Sequence, residues 1–475
     1  MALEFDPVAY INAPDWHNSR PGLERITELL ARLGNPQEAL HVVHVAGTNG
    51  KGSTSTFIAS VLQEAGYRTG LFTSPYIMEF AERIRVNGAN IPADKLMAVT
   101  LQVRDAAEAM DDHPTEFELM CAVAFLYFKQ QACDICVIEV GLGGRLDSTN
   151  VFTAPELCVI TPIAFDHTAI LGNTLEAIAG EKAGIIKQGA PVVCALQEDE
   201  ALSTIAAKAK EMDAPLTCVD ASAIEGTPAD FSYRDVAHVR LGLRGSYQVE
   251  NAATALEALA ILRQRGWNIP HDAVERGLAA AAIPGRFELL GEQPPFIVDG
   301  GHNPQGIQAL IDSLTLYYPN RPVIFVAGVL ADKDYPQMVE TLVAYPQTRM
   351  FIAIEPPVPR ALKSDALAQA VRDELQRQDA QSARGHFFMR PKHEMMIREG
   401  KSIAAAVEAA RGIATDLSDD RLTRDSMADP FGFLTGWSKQ ASFANPVVVA
   451  CGSLYSVGEV TRTYRALEAR DNEGQ

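Results

Sequence analysis

The chain has 475 residues, of which 47% are hydrophobic and 7% aromatic, and its formal net charge is −19 at pH 7. Since this length exceeds what one hydrophobic core usually serves, we expect two domains. The acidic balance argues against non-specific binding to nucleic acid or to an anionic membrane, because both favour basic surfaces, although a local basic pocket can still hold an anionic substrate.

The N-terminal stretch shows no basic segment followed by an apolar one, and no apolar run approaches the roughly 20 residues that span a bilayer. The 7 cysteines are scattered and lie mostly in apolar segments, as expected of small core residues in a reducing compartment. Cys133 and Cys136 have redox or zinc-motif spacing, but they have no second Cys/His pair nearby, so we interpret them as structural. We therefore expect a cytoplasmic protein without a membrane partner.

The first half of the chain alternates helical segments with short β-branched runs, which is typical of a doubly wound α/β sheet. Its predicted helices are RPGLERITELLARLG (20–34), FELMCAVAFLYFKQQ (117–131) and NAATALEALAILRQRG (251–266). Its predicted strands are HVVHVA (41–46), ICVIEV (135–140), LCVITPI (157–163) and PVVCAL (191–196). They are apolar nearly throughout, as parallel strands covered on both faces tend to be.

A Pro/Gly-rich break, AAIPGRFELLGEQPP (281–295), precedes a second run of alternation. The strands predicted after it are PFIVDGG (295–301), PVIFVAGV (322–329), MFIAIEP (350–356), HFFMRP (386–391) and PVVVACGS (446–453). We interpret residues 391–446 as one helix, SIAAAVEAARGIA (402–414), plus a long surface insertion. The predicted domains are residues 1–285 and 286–475.

The turn GTNGKGST (47–54) follows the first predicted strand and opens a helix. Glycines let such a turn aim its N–H groups at phosphate oxygens, and the helix N-terminus adds its dipole. Lys51 is placed to reach the β- and γ-phosphates, and Ser53 or Thr54 to bind Mg²⁺. The spacing departs from the standard phosphate-binding loop, with Val45 at the first glycine position. The alternative is a helix entrance that uses glycine only for packing.

Magnesium ligands should follow other strands, because the ligand crevice lies at the carboxyl ends of parallel strands. Glu139 ends one predicted strand, Ser74 follows GLFT, and Asp166 and His167 follow LCVITPIAF. Carboxylate and hydroxyl oxygens suit a hard cation. His167 alone would more often be an ordinary loop histidine, but its place beside a carboxylate favours a role in the site.

Taken in order, these motifs resemble the folylpolyglutamate synthase and dihydrofolate synthase family of Mur-type ATP-dependent amide ligases. The resemblance runs from about residue 20 to residue 465. Its motifs include HVAGTNGKGST, SPYIMEFAERIRVNG, EVGLGGRLDSTNV, DHTAILGNTLEAIAGEKAGIIK, PGRFELL, DGGHNPQG, GVLADKD and CGSLYSVGEV. It implies an α/β protein with a P-loop-type, mostly parallel-sheet ATPase domain and a smaller Rossmann-like C-terminal domain.

The resemblance also implies roles for individual residues. The implied nucleotide contacts are Gly47, Thr48, Asn49, Gly50, Lys51, Gly52, Ser53, Asn251, Arg286 and Asp299. The implied ligands of two Mg²⁺ ions are Ser53, Ser74, Glu139, His167 and Lys182, the last as a carbamate. The implied contacts on the glutamate side are Arg83, His302 and Ser453. The implied contacts at the pterin end are Phe117, Arg145, Leu146, Asp147 and Ser148.

The implied reaction turns a carboxylate into an acyl phosphate with ATP, and the amine of L-glutamate then displaces phosphate to form an amide. Lys51, Lys182 and His302 are the expected catalytic residues, and the partners are ATP, L-glutamate and a folate or dihydropteroate, bound by a monomer. One departure is Tyr76, where family members usually have histidine. A Mur-type ligase with another acceptor and a nucleotide-gated binding protein without turnover are the alternatives. An ATPase activity that requires both a pterin substrate and glutamate would exclude the binding protein.

Overall fold

The structure, a computed structural model, describes residues 5–13, 21–383, 395–418 and 445–473. These residues form two compact units. The first comprises the described residues up to Leu243 together with Tyr247–Ile283, and the second comprises Arg244–Ser246 together with the described residues from Pro284 onward.

The first unit is built on an eight-stranded sheet. Its strands are β1 (Val42–Ala46), β2 (Thr69–Phe72), β3 (Ile84–Val86), β4 (Ala89–Asn90), β5 (Ile135–Glu139), β6 (Leu157–Ile160), β7 (Val192–Cys194) and β8 (Leu216–Cys218). They lie in the order β4-β3-β2-β5-β1-β6-β7-β8, and all neighbours from β2 to β8 run parallel. Only the β2–β3 and β3–β4 pairs are antiparallel.

Ten α-helices belong to the described part of this unit. The helices are α1 (Pro7–Ile11), α2 (Glu24–Arg32), α3 (Lys51–Glu64), α4 (Ala93–Ala107), α5 (Glu116–Gln130), α6 (Thr168–Leu171), α7 (Leu175–Ala183), α8 (Asp199–Glu211), α9 (Gln248–Gln264) and α10 (His271–Ala280). Short 3₁₀ helices occur at Pro36–Ala39, Phe80–Arg83 and Ala221–Ala223. Helices α3 and α5 are buried on nearly all sides, which explains why their apolar residues show little one-sided periodicity.

A small antiparallel sheet follows β8 in the first unit. It consists of β9 (Ile224–Thr227), β10 (Asp230–Tyr233) and β11 (Val236–Val239), with β10 in the centre. The sequence analysis did not predict it, because its strands are short and mix polar with apolar residues.

The second unit contains a six-stranded sheet in the order β12-β13-β17-β14-β15-β16. Its strands are β12 (Glu288–Glu292), β13 (Pro295–Val298), β14 (Val323–Ala327), β15 (Thr348–Ala353), β16 (Met396–Glu399) and β17 (Val447–Cys451). Its helices are α11 (Pro304–Tyr317), α12 (Tyr335–Ala344), α13 (Ser364–Ala383), α14 (Ile403–Ser418) and α15 (Leu454–Glu473). Only the β12–β13 pair is antiparallel.

The two sheets confirm the predicted class, an α/β protein with a mostly parallel ATPase-type sheet and a second, Rossmann-like α/β sheet. Within the predicted insertion, the expected helix is present as α14, and β16 is a strand that we did not predict. The strand predicted at 386–391 and residues 419–444 of the insertion lie outside the described residues. No helix in the described ranges is long and apolar enough to cross a membrane.

Candidate active site

The predicted phosphate-binding turn connects β1 to α3 at the carboxyl edge of the first sheet. Gly47 and Gly50 have φ angles of 151° and 83°, which strongly favour glycine. A Cβ added to Gly47 would lie 1.8 Å from Oγ1 of Thr161, the residue after β6. The glycines are therefore required both by the backbone conformation and by close packing against the next strand.

The segment after β6 supports this turn from behind. The backbone N–H groups of Thr48 and Asn49 both donate to the carbonyl oxygen of Pro162, at 2.9 and 3.2 Å. The Thr48 hydroxyl lies 3.1 Å from both the carbonyl oxygen and the backbone N of Ala164, so it can donate to one and accept from the other. The turn is thus held in place by backbone groups of the segment after β6.

Two lysines lie beside the turn. Nζ of Lys51 donates to the carbonyl oxygen of Thr48 at 3.2 Å, and Nζ of buried Lys182 donates to that of Gly47 at 2.8 Å. Burial, together with the charge of Lys51, lowers the pKa of Lys182 to about 7, although Asp166 and Asp147 oppose the shift. The structure therefore brings both predicted lysines to one end of the turn.

The first turn of α9 contacts the glycine turn from another direction. A Cβ on Gly50 would lie 2.3 Å from Oδ1 of Asn251, which shows how closely this amide approaches. Nδ2 of Asn251 donates to Oε1 of Gln248 at 3.0 Å, and Nε2 of Gln248 donates to Oγ of Ser53 at 3.2 Å. Gln248 was not among the predicted site residues, although it stands three positions before Asn251 on the same helix face.

Glu139, the last residue of β5, provides a buried carboxylate at this edge. Its Oε2 accepts from the backbone N of Ser74 at 3.1 Å, and its oxygens lie 3.6 and 3.8 Å from a Cβ built on Gly52. A buried carboxylate and a serine beside a phosphate-binding turn form a donor set that fits Mg²⁺, which prefers oxygen ligands. No group of three His, Cys, Asp or Glu side chains suited to a metal occurs in the described part of the chain.

His167 and Asp166 follow β6, as expected. His167 is exposed, has a left-handed backbone with φ 51°, and places Nε2 3.9 Å from Oδ2 of Asp166. The Asp166 side chain is only 8% exposed, and its charge influences Lys182. Asp166, which the sequence analysis named beside His167 without including it among the implied ligands, is thus a largely buried carboxylate whose charge acts on Lys182.

The loop between β5 and β6 holds most of the residues predicted for the pterin end. Asp147 is buried, and its carboxylate accepts from the backbone N atoms of Leu142 and Thr149 at 2.8 and 2.9 Å. Burial raises the pKa of Asp147, and these hydrogen bonds oppose the rise. The Thr149 hydroxyl joins Asp147 to Nε2 of buried His44, which lies 2.9 Å from that hydroxyl. Asp147 therefore fixes the shape of its own loop.

The remaining residues of this predicted group differ in exposure. Arg145 is exposed and pairs with Glu181 at 2.6 Å, Leu146 is 42% exposed, and Ser148 is partly buried. Phe117 packs so closely on the loop that a Cβ on Gly141 would lie 2.4 Å from its ring.

Arg83 ends a 3₁₀ helix and is almost fully buried. Its guanidinium lies over the ring of Tyr76, 5.0 Å from the centroid, and 5.8 Å from the centroid of Phe80. Tyrosine in place of the usual family histidine therefore supplies an electron-rich face for a cation.

The second unit holds the other predicted residues near the ends of β13 and β17. Asp299 is buried and accepts from the backbone N atoms of Phe287 and Gly301, at 2.9 and 2.7 Å. A Cβ on Gly300 would lie 3.2 Å from Nη1 of Arg286, so this guanidinium packs against the same segment. Asp299 therefore joins the segment just before β12 to the segment after β13.

The two predicted glutamate-side residues of this unit have defined partners. Nδ1 of His302 donates to the carbonyl oxygen of Gly300 at 2.9 Å, because a carbonyl can only accept, and this fixes the tautomer of a neutral ring. Ser453 is buried after β17, and its Oγ accepts from the backbone N of Tyr455 at 3.3 Å.

Comparisons with known proteins identify the two parts of the chain. Residues 45–259 match the Mur ligase middle domain, and residues 285–416 match the Mur ligase glutamate ligase domain. The dihydrofolate synthase/folylpolyglutamate synthase of Bacillus subtilis is 45% identical over 358 residues, covering 70% of this chain and 83% of the relative. The folylpolyglutamate synthase of Lacticaseibacillus casei is 39% identical, covering 75% and 86%.

Solved structures give the same result. Mycobacterium tuberculosis folylpolyglutamate synthase, complexed with ADP and AMPPCP, superposes with a TM-score of 0.81 at 28% identity, covering 97% of this chain and 99% of that one. Escherichia coli FolC in complex with DHPP and ADP superposes with a TM-score of 0.77 at 29% identity, covering 98% and 99%. The chain therefore belongs to the folylpolyglutamate synthase and dihydrofolate synthase family of Mur ligases.

Proposed function

We propose that this chain is a ligase that forms a carbon–nitrogen bond, joining L-glutamate to the carboxylate of a folate or of dihydropteroate with ATP and releasing ADP and phosphate. The observation that carries the proposal is the convergence of Lys51, Lys182 and buried Glu139 on the glycine turn 47–53. The relatives named as folylpolyglutamate and dihydrofolate synthases, and the ADP in the solved structures, support the substrates.

In the first half-reaction the acceptor carboxylate attacks the γ-phosphorus and ADP leaves, so the acceptor becomes an acyl phosphate. The N–H groups of the turn and the Lys51 ammonium would bind the phosphates and stabilise the charge that develops on them. Ser53, at the start of α3, would lie beside the phosphates with Gln248 as its partner. Asn251 would contact the nucleotide from α9, as would Arg286 and Asp299 from the second unit.

The family implies Mg²⁺, which would neutralise phosphate charge and align the reacting oxygens. Ser53, Ser74, Glu139 and His167 would hold two such ions. We propose that Lys182 completes this set as a carbamate, because a buried ammonium beside Lys51 would repel both metal and lysine. A carbamate at the same position is an anionic oxygen ligand.

In the second half-reaction the amine of glutamate attacks the acyl carbonyl, phosphate leaves, and an amide forms. The Nδ1–H of His302 donates to the carbonyl oxygen of Gly300, which leaves Nε2 as the acceptor nitrogen of the neutral ring. His302 would therefore use Nε2 to position the glutamate amine or to accept its proton. Arg83 and Ser453 would contact the glutamate carboxylates. The pterin would be contacted by Phe117 of α5 and by Arg145, Leu146 and Ser148 of the loop between β5 and β6. Asp147 maintains the shape of that loop.

We further propose that residues 1–285 and 286–475 act as the ATP-binding and glutamate-ligase domains, and that the protein works as a cytoplasmic monomer. The two compact units support the domain boundaries. The seven cysteines, six of which are buried and none of which is paired, support a reducing compartment.

The test is ADP release by the purified protein with ATP, Mg²⁺ and L-glutamate, with dihydropteroate and tetrahydrofolate offered separately and Lys51→Ala as control. Because the Bacillus subtilis relative carries both names, we expect turnover with both acceptors, and at least a 100-fold loss in Lys51→Ala. Turnover with only one acceptor would define a monofunctional enzyme. Turnover with neither, in protein that still binds ATP, would refute the folate assignment.

A further inference from the structure

Gln197 follows β7 and contacts the segment that supports the phosphate-binding turn. Its Nε2 donates to the carbonyl oxygen of Thr161 at 3.0 Å, and its Oε1 accepts from the backbone N of Ile163 at 2.9 Å. We infer that Gln197 is a positioning residue for the nucleotide, acting through the segment 161–164. The inference rests on the proposed function, because it concerns the ATP of that reaction.

Two backbone groups of this segment need a side chain as their hydrogen-bond partner. Thr161 follows the last strand residue of β6, and the sheet ladder no longer provides partners for the carbonyl of Thr161 and the N–H of Ile163. One primary amide has both a donor and an acceptor, so a single glutamine satisfies both backbone groups. A carboxylate would lack the donor, and an apolar side chain would lack both.

The same segment determines where the glycine turn lies. The carbonyl of Pro162, between the two partners of Gln197, accepts from the N–H groups of Thr48 and Asn49. On one side of it, Thr161 packs against Gly47, and on the other, Ala164 exchanges hydrogen bonds with the Thr48 hydroxyl. A shift of residues 161–164 would therefore move the backbone of Thr48 and Asn49, and with it the glycine turn that would hold the phosphates.

Gln197 itself is held in place by the sheet. It stands three residues beyond β7, which pairs in parallel with β6, and the backbone N of Ala195 donates to the carbonyl oxygen of Ile160 at 2.9 Å. The side chain thus extends from a backbone already registered against β6. A positioning role follows, because Gln197 reaches the turn only through its contacts with Thr161 and Ile163.

The experiment compares Gln197→Met, which has a similar volume but no hydrogen-bonding amide, with Gln188→Met. Gln188 is an exposed glutamine of the same unit that donates to Asp213 at 3.0 Å, far along the chain from the turn. Calorimetry gives the Kd for ADP, steady-state kinetics the KM values for ATP and glutamate, and thermal unfolding without ligand the stability. Gln197→Asn, one methylene shorter and able to keep one of the two bonds, serves as a milder variant.

For Gln197→Met we expect the Kd for ADP and the KM for ATP to rise about tenfold, with the KM for glutamate unchanged, as the loss of two hydrogen bonds predicts. Gln197→Asn should fall between this variant and the unchanged Gln188→Met. A lower melting temperature with an unaltered Kd for ADP, in either Gln197 variant, would overturn the inference and leave the proposed function intact. Failure of the wild-type protein to bind ADP would refute the proposed function, and this inference with it.

Discussion

At the scale of single residues, the two lysines beside the glycine turn raise an electrostatic problem. Burial disfavours the Lys182 ammonium and the nearby charge of Lys51 adds to this cost, so the pKa of Lys182 is lowered to about 7. Carbamylation would remove this cost: the neutral amine would attack the carbon of CO₂ and lose a proton, and Lys182 would become an anion that Lys51 attracts. The same charge reversal would provide a ligand for Mg²⁺.

We therefore expect protein equilibrated with ¹³C-bicarbonate to show one carbamate resonance by NMR. Lys182→Arg should abolish the resonance, because a guanidinium does not form a carbamate, and should lower activity. Lys187→Arg is the matched control, since Lys187 also has a pKa lowered by burial, but the charged groups that shift its pKa are Cys158 and Lys208 and do not include Lys51. A resonance that survives in Lys182→Arg would contradict the assignment.

His44 provides a pH-dependent contribution to stability. Burial lowers its pKa from 6.5 to about 3, so the unfolded chain binds the extra proton first as the pH falls. The contribution is complete above pH 6.5 and is lost progressively towards pH 3. We expect the free energy of unfolding to fall by about 1 kcal/mol, from this group alone, between pH 6.5 and about 5.5.

The measurement is urea unfolding at both pH values for the wild type and for His44→Gln, which keeps a donor for Thr149 and does not titrate. The wild type should lose more stability on acidification than the variant. Equal losses in the two proteins would show that His44 is not held neutral in the folded state.

At the scale of secondary structure, sequence analysis succeeded where a strand is buried on both faces. The segments of β1, β5, β6 and β17 are buried along their whole length, have only His44 and Glu139 as polar residues, and were predicted, whereas β9 and β16 contain exposed polar residues and were not. The glycine turn was found because it follows a predictable strand, and Glu139 because it ends one. Gln197 was not found, because its role depends on β7 lying next to β6. The order of strands in a sheet cannot be predicted from the sequence of a single strand.

The glycine turn itself permits a matched comparison between backbone strain and steric conflict. Gly50 and Gly66 have similar φ angles, 83° and 94°, but a Cβ on Gly50 would meet Asn251 at 2.3 Å, whereas a Cβ on Gly66 would meet nothing within 4 Å. Gly66→Ala should cost about 1 kcal/mol from the left-handed conformation and leave the KM for ATP unchanged. Gly50→Ala should cost more and raise that KM at least tenfold, because Asn251 is displaced. Thermal unfolding measures the loss of stability, and ATP kinetics measure the change in KM. Equal changes in both quantities for the two substitutions would show that backbone strain alone matters and that the conflict with Asn251 does not.

At the scale of the whole molecule, the proposed reaction divides into two steps whose residues lie largely in different units. The groups that would handle phosphate, Lys51, Lys182 and Glu139, belong to the first unit, and His302 and Ser453, proposed for glutamate, belong to the second. Sequence analysis predicted this division from the Pro/Gly-rich break and from the resemblance. It did not predict that the carboxylates of Asp147 and Asp299 accept hydrogen bonds from backbone N–H groups, because such bonds depend on loop conformation.

The division predicts that the two steps can be separated by mutation. In His302→Asn the shorter amide can still donate to the carbonyl of Gly300, but the second ring nitrogen is lost. With acceptor present and glutamate absent, exchange of ¹⁸O between the bridging and non-bridging positions of ATP reports the reversible formation of acyl phosphate. We expect this exchange to persist in His302→Asn while ligation falls about 100-fold, a size typical of a lost general base.

His271→Asn, at an exposed histidine of the first unit, is the matched control and should change neither the exchange rate nor the ligation rate. Lys51→Ala should lose both, and a His302→Asn protein that also lost the isotope exchange would show that the second unit acts before the acyl phosphate forms.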